Sequence, residues 1–272
     1  MYGRHSNMDK TVQVRDLVIG EGRPKICIPV MGSTTETLKE AAGHAMKKHP
    51  DLIEWRADYF ADIENEEVRR QAFDELREIL GEVPLLFTIR TRREGGEADL
   101  SADQYLKVVS DAIRDEKADL VDVEISHGDD IAFMLISLAH EFGIKTIASS
   151  HDFSQTPKKE QIIMTLCKMQ ELEADIPKMA VMPQRERCSG TARCNIKYER
   201  APCPDTGHHD GHGKERCGIK AVGRSIRLCC DIWDSRSTVR TGTDRCGRIK
   251  EDFGTFGRRL MSTKKQNTRS QF

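Results

Sequence analysis

Between Lys25 and Pro183, short uninterrupted apolar runs alternate with longer stretches whose apolar residues recur every three or four positions. The runs 26–30, 52–55, 84–89, 120–125, 145–149 and 176–182 read as strands. The stretches 34–48, 66–80, 102–116 and 130–142, and one opening at Pro157, read as helices. In the first helix, Leu38, Ala41, Ala42 and Ala45 form one face. Strands this uniformly apolar are covered on both faces. Strict β–α alternation with short connections then requires a parallel sheet with right-handed crossovers, either a barrel or a doubly wound sheet.

The pattern stops after Gln184. Residues 1–184 carry 23 Lys and Arg against 34 Asp and Glu, whereas residues 185–272 carry 20 against 10. Seven of the nine cysteines lie between Cys188 and Cys246, leaving Cys27 and Cys167 in the acidic part. The tail has no strand of five apolar residues and no helical stripe, so it cannot bury enough apolar surface to offset its ordering entropy. Residues 1–10 show no periodicity and read as a disordered lead. No apolar run approaches the roughly 18–20 residues that cross a bilayer. Without an export signal the thiols read as reduced, cytoplasmic cysteines.

In a parallel α/β barrel, functional groups project from the C-terminal ends of the strands. Here strand two ends in Glu54 and Arg56, and strand three in Arg90 with Glu94 just beyond. Strand four ends in Glu124, strand five in His151, and strand six carries Lys178. Lys178 lies between Ile176, Pro177, Met179 and Ala180, so burial would favour its neutral, nucleophilic amine. His151 has the chemistry of a general base near neutral pH. Each residue also has a plainer reading. Lys178 can snorkel to solvent from the start of a strand, and His151 can be a hydrogen-bonded structural residue. Glu94 can follow Arg92 and Arg93 onto a solvated loop, and Arg56 and Arg90 can be tied up by Glu54 or Glu124. Gly95-Gly96 permits a tight loop and specifies nothing by itself.

Four segments carry a more specific signal: Ile-Glu-Trp-Arg-Ala-Asp (53–58), Thr-Ile-Arg-Thr-Arg-Arg-Glu-Gly-Gly (88–96), Ser-Ser-His-Asp-Phe (149–153) and Asp-Ile-Pro-Lys-Met-Ala-Val-Met-Pro (175–183). With the opening Val-Arg-Asp-Leu-Val-Ile-Gly (14–20), the chain resembles the type I 3-dehydroquinate dehydratases over roughly residues 11–184. Ile89 stands where that family more often has Phe.

The resemblance implies a TIM (β/α)8 barrel and syn dehydration of 3-dehydroquinate to 3-dehydroshikimate in the shikimate pathway. It makes Lys178 the imine-forming nucleophile, His151 the proton carrier and Glu94 the residue that orients it. Glu54, Arg56 and Arg90 become the substrate-binding groups. It implies no metal or organic cofactor, no nucleic-acid or membrane partner, and a cytoplasmic homodimer.

The same family supplies two further βα units, with a carboxylate-binding Arg in a Ser-Arg-Leu segment, and these are absent from 185–272. Back-translation suggests a cause. Dropping one base from a permitted coding of 206–223 gives Pro-Val-Ile-Thr-Met-Gly-Met-Gly-Lys-Asn-Gly-Val-Val-Ser-Arg-Leu-Ser-Gly, a strand followed by the missing segment. The same shift gives Ala-Val-Thr-Phe-Gly-Thr from 229–235, and another gives an amphipathic helix from 185–194. The tail therefore reads as out of frame, and the lost Arg straddles the codons of Lys220 and Ala221, neither of which inherits its role. As written, the barrel would lack two strands, expose edges at strands one and six, and be unstable and nearly inactive.

Two rival readings remain at this level. Cys188, Cys194, Cys203, His208, His209, His212 and Cys217 supply zinc-ligand residue types, and the basic tail suits nucleic acid. The cysteines, however, form no Cys-x-x-Cys pair, and aromatic residues are sparse. The other reading is a class I aldolase, which also uses a lysine imine on strand six.

Overall fold

The computed structural model describes residues 11–182 and the backbone of two short strands at Ile219–Val222 and Ile226–Leu228. The lead 1–10, most of the tail and all of its Cys and His residues lie outside the described residues. The chain opens with an antiparallel hairpin, β1 (Val12–Val14) and β2 (Leu17–Ile19). Five βα units and a sixth strand follow. They are β3 (Lys25–Val30), α1 (Thr35–Met46), β4 (Leu52–Arg56), α2 (Glu66–Leu80), β5 (Leu85–Thr88), α3 (Ala102–Arg114), β6 (Leu120–Glu124), α4 (Asp129–Glu141), β7 (Lys145–Asp152), α5 (Lys159–Glu171) and β8 (Ile176–Val181). β3 to β8 pair in sequence order and all in parallel, forming the arc of an α/β barrel.

Helix boundaries follow local chemistry. Thr34 and Thr37 form a capping box at α1, Ser101 and Gln104 form one at α3, and Asn65 caps α2. The apolar stripe of α1 buries Leu38, Ala42 and Ala45 as its spacing predicts. On the outer face of the sheet, Trp55 meets Phe60, Phe73 and Phe87 edge-on, with ring centroids 5.7, 4.8 and 5.4 Å away. That face and the helices form the larger core.

The inner face is arranged in layers, because alternate residues of a strand point the same way. Its lowest layer is apolar: Cys27, Leu52, Leu86, Leu120, Ile147 and Ile176. The β1–β2 hairpin covers this floor with Val14 and Ile19, both buried. The apolar runs read as strands begin only at residue 26, although Val12, Val14, Leu17 and Ile19 flank a two-residue link.

The floor is also clamped by three aspartates, each placed one residue before an even-numbered strand of the arc. Asp51 accepts the Ile26 N–H at 2.7 Å, Asp119 accepts the Leu85 N–H at 2.8 Å, and Asp175 accepts the Thr146 N–H at 2.9 Å. Each therefore satisfies a donor at the bottom of the preceding strand that the ladder leaves open. Arg23 pairs with Asp51, Arg15 and Arg77 with Asp119, and Lys145 with Asp175.

One expectation is corrected. The edges at barrel strands one and six are not bare. β9 (Ile219–Val222) lies antiparallel on β8, and β10 (Ile226–Leu228) lies parallel on β3. An open strand edge offers a row of unmatched backbone donors and acceptors, which even a short segment can pair. The antiparallel direction of β9 still departs from an all-parallel barrel, and no ladder joins β9 to β10 among the described residues. Within those residues no helix is long and apolar enough to cross a membrane.

Candidate active site

Two residues above the floor, the inner face turns polar on every strand from β4 to β8. Glu54, Thr88, Asp122, Ser149 and Lys178 are all buried. Above them sit Arg90, Glu94, Glu124 and His151, held by strand ends and the loop after β5.

Lys178 is 2% exposed and does not snorkel to solvent. Its Nζ donates to Asp122 Oδ2 at 2.9 Å and lies 3.8 Å from Glu54 Oε1. The apolar surroundings expected from its sequence neighbours are therefore replaced at the amine by carboxylates. Met179 and Val181 face the opposite side of the strand and pack with Ile162 of α5. Glu54 also accepts a hydrogen bond from Thr88 Oγ1 at 3.0 Å.

Asp122 is shared. While Oδ2 takes Lys178, Oδ1 takes Arg90 Nη2 at 2.9 Å and the Ser149 hydroxyl. Arg90 continues the network through Nη1, which donates to Glu124 Oε1 at 2.8 Å and Ser149 Oγ at 3.0 Å, and reaches Glu94 Oε2 at 3.5 Å. Glu94 Oε2 lies 2.7 Å from His151 Nδ1. Six of the seven strand-end residues singled out in sequence, all but Arg56, thus join one connected network through Asp122 and Arg90.

Arg56 stands beside the network. It forms a bidentate pair with Asp58, 2.8 Å at each contact, rather than binding Glu54 or Glu124. Its guanidinium also lies 5.2 Å from the centre of the Tyr59 ring. Asp58 in turn accepts the Glu97 N–H at 3.1 Å, tying the end of β4 to the loop that carries Glu94.

That loop shows why Glu94 turns inward while Arg92 and Arg93 remain exposed. Residues Arg92–Glu94 form one 3-10 turn, closed by Gly95 at φ +80°. A side chain at Gly95 would meet the Phe153 ring, and one at Gly96 would overlap the Arg90 carbonyl. The glycine pair lets the loop fold flat against the barrel mouth, and the solvated-loop reading of Glu94 is overturned.

The charges explain the acidities. Four carboxylates (Glu54, Glu94, Asp122, Glu124) face two buried cations (Arg90, Lys178), so the acids are not all compensated. Burial opposes ionisation of Asp122, but Arg90 and then Lys178 outweigh it and hold the carboxyl well below its usual range. Burial likewise opposes ionisation of Glu124, yet His127, Arg90 and Thr91 outweigh it and hold its pKa below the ordinary value. Glu94 carries the deficit. Burial, then the Glu124 charge, push it up to about 7, since Arg90 reaches it only at 3.5 Å.

Asp122, Ser149, Thr88 and Asp58 were missed in the sequence. The signal for Asp122 was available: it stands two residues before Glu124 in an apolar strand, so both carboxylates face the same side. Asp58 lies two residues from its partner Arg56, and nothing along the chain announced its second contact, the Glu97 N–H on another loop.

Comparison with known proteins points to one family. The family described as Type I 3-dehydroquinase matches residues 26–187. The 3-dehydroquinate dehydratase of Clostridioides difficile (strain 630) is 43% identical over 180 residues, covering 66% of this chain and 71% of that protein. That of Syntrophotalea carbinolica is 47% identical over 174 residues, covering 64% of this chain and 69% of that protein. Among solved structures, the type I enzyme from Clostridium difficile with covalent modified comenic acid superposes with a TM-score of 0.68 at 40% identity, covering 70% of this chain and 76% of that one. The 3-dehydroquinate dehydratase from Geobacillus kaustophilus HTA426 gives 0.67 at 33% identity, covering 70% and 74%. A parallel arc with a lysine-centred polar mouth, matched over more than half its length by one family of hydro-lyases, makes this chain a member of the type I 3-dehydroquinases.

Proposed function

We propose that this protein dehydrates 3-dehydroquinate through an imine on Lys178, within the shikimate route to aromatic amino acids. The observation that carries the reading is a buried lysine joined through one hydrogen-bonded network to a His–Glu pair. The Lys178 amine adds to the substrate ketone and releases water, forming the imine. The imine acidifies the adjacent C–H because it accepts the electron pair as an enamine. His151 removes that proton and returns it to the departing hydroxyl, which leaves as water. Hydrolysis of the imine consumes the water released at its formation and frees 3-dehydroshikimate, so one water is lost per turnover.

Glu94 on Nδ1 fixes the His151 ring and leaves proton exchange with substrate to Nε2. Glu54, Arg56 and Arg90 bind ring hydroxyls from the same mouth. A relative that holds covalently modified comenic acid supports a covalent route. Reduction with borohydride in the presence of 3-dehydroquinate should leave a stable adduct mapped to Lys178 by mass spectrometry. Its absence, or its appearance with aldol substrates instead, overturns the reading.

The tail is part of the same proposal. The family match stops at residue 187, although the chain continues to 272 and the aligned part covers about 70% of the relatives' length. This supports reading 185–272 as the last two βα units translated out of frame. Sequencing source DNA across codons 180–272 tests it, and a written frame that stands overturns it. Restoring the frame should raise turnover by roughly 100-fold or more, because a bidentate Arg for the substrate carboxylate returns. The family likeness also points to a cytoplasmic homodimer, which light scattering in solution would detect.

A further inference from the structure

The Schiff-base reading leaves Asp122 without a role, yet this is the residue that contacts the reacting nitrogen. Its side chain is fully buried, and its two oxygens divide cleanly: Oδ2 on Lys178 Nζ at 2.9 Å, Oδ1 on Arg90 Nη2 at 2.9 Å and on the Ser149 hydroxyl. Other groups facing this pair are Glu54 from β4, Arg90 and Glu94 from beyond β5, Glu124 from β6 and His151 from β7. Of the nearby carboxylates, Glu54 stands 3.8 Å from the amine and is engaged by Thr88, while Glu94 and Glu124 serve His151, Thr91 and Arg90.

Resting on the imine reading, we propose that Asp122 is the counter-ion of the protonated imine. When the Lys178 amine adds to a ketone and water leaves, the nitrogen retains a positive charge and one N–H. Oδ2, already on that nitrogen, accepts the N–H. Arg90 and Ser149 keep the carboxylate ionised and fixed throughout, so its orientation does not depend on substrate. The iminium is the form that draws electrons from the neighbouring C–H. A buried carboxylate fixed 2.9 Å from its nitrogen therefore favours the electron-accepting species.

The test is borohydride trapping on the full 272-residue chain, read by mass spectrometry across pH. Trapping is stoichiometric and does not require turnover. With 3-dehydroquinate present, the wild type should give an adduct at Lys178 whose yield falls on the alkaline side as the iminium loses its proton. Asp122→Asn should lower the trapped yield about tenfold and move the alkaline limb down by about one pH unit or more. Asp122→Glu should recover part of both, which a purely structural role would not give. Should Asp122→Asn fail to fold, Ser149→Ala removes one hydrogen bond from the same carboxylate without removing charge. It should move the limb in the same direction by a smaller amount.

An unmoved limb and unchanged yield in whichever of these variants folds overturns the proposal and leaves the imine reading intact. A wild type that gives no Lys178 adduct overturns both, so the two failures are distinguishable.

Discussion

The floor of the barrel and the layer directly above it come from the same strands, one alternation apart, and are chemically opposite. Leu52, Leu86, Leu120, Ile147 and Ile176 close the bottom with the β1–β2 hairpin pressed against them. Two residues further on, each of these strands places Glu54, Thr88, Asp122, Ser149 or Lys178 into the same lumen. The floor is held by area removed from water and tolerates any apolar group of the right volume. The upper layer is held by ion pairs and hydrogen bonds, where each group depends on its partner. The floor excludes water from below and thereby strengthens each electrostatic contact above it. A site of this kind needs both layers, and the lumen provides them at a separation of one strand repeat.

Substitutions that strike one layer and spare the other separate these roles. The largest effect is expected in the upper layer: Lys178→Met should abolish the trapped adduct, as mass spectrometry would check, and in the frame-restored chain lower turnover on the order of 10⁴-fold in steady-state kinetics. If the adduct persisted on another lysine, the upper layer would not be the reacting one. Next comes Asp122→Asn, which leaves Arg90 and Lys178 buried with one anion fewer. Denaturant titration should show a loss of about 3–5 kcal/mol, the usual consequence of breaking a buried charge pair.

A smaller loss follows in the floor. Leu52→Ala leaves a cavity beneath the site and should cost about 3 kcal/mol, while the adduct still forms on Lys178 at normal yield. A floor variant that lost the adduct but not stability would contradict the division of labour.

The smallest effect is one of pH. The carboxyl of Glu94 sits at about 7 in the folded chain against an ordinary 4.5, so the folded state holds an extra proton between those values. The stability this confers is full below the lower value and is lost as pH rises through the upper one. The melting temperature of the wild type should therefore fall, relative to Glu94→Gln, by a few degrees (~2–5 °C) between about pH 5 and about pH 8. A difference that stays flat across that interval would place the excess charge of the upper layer elsewhere.

Much of the arc was legible in sequence because its signals are local. Apolar runs of strand length mark β3 to β8, and helical spacing marks α1 to α5. Lys178, His151, Arg90, Glu94 and Glu54 stood out because charged residues at the ends of apolar strands are rare enough to be noticed. The hairpin at 12–19 was missed because three-residue strands lie below the length at which alternation can be recognised. Asp122 was missed although it shares a strand face with Glu124, because only the acid at the strand end was read as a site group.

By itself, then, the sequence determined the order and type of the elements from Lys25 to Val181, the strand faces, and the set of ionisable groups available at one end of the sheet. These follow from periodicity and residue chemistry, which act within a few residues. Only the tertiary structure decided who pairs with whom. Arg56 pairs with Asp58 across a tight turn, whereas Asp122 joins Lys178, 56 residues away, to Arg90. The physical reason is that Coulomb and hydrogen-bond energies depend on distance and burial, and both are set only when parallel strands far apart in the chain are brought side by side.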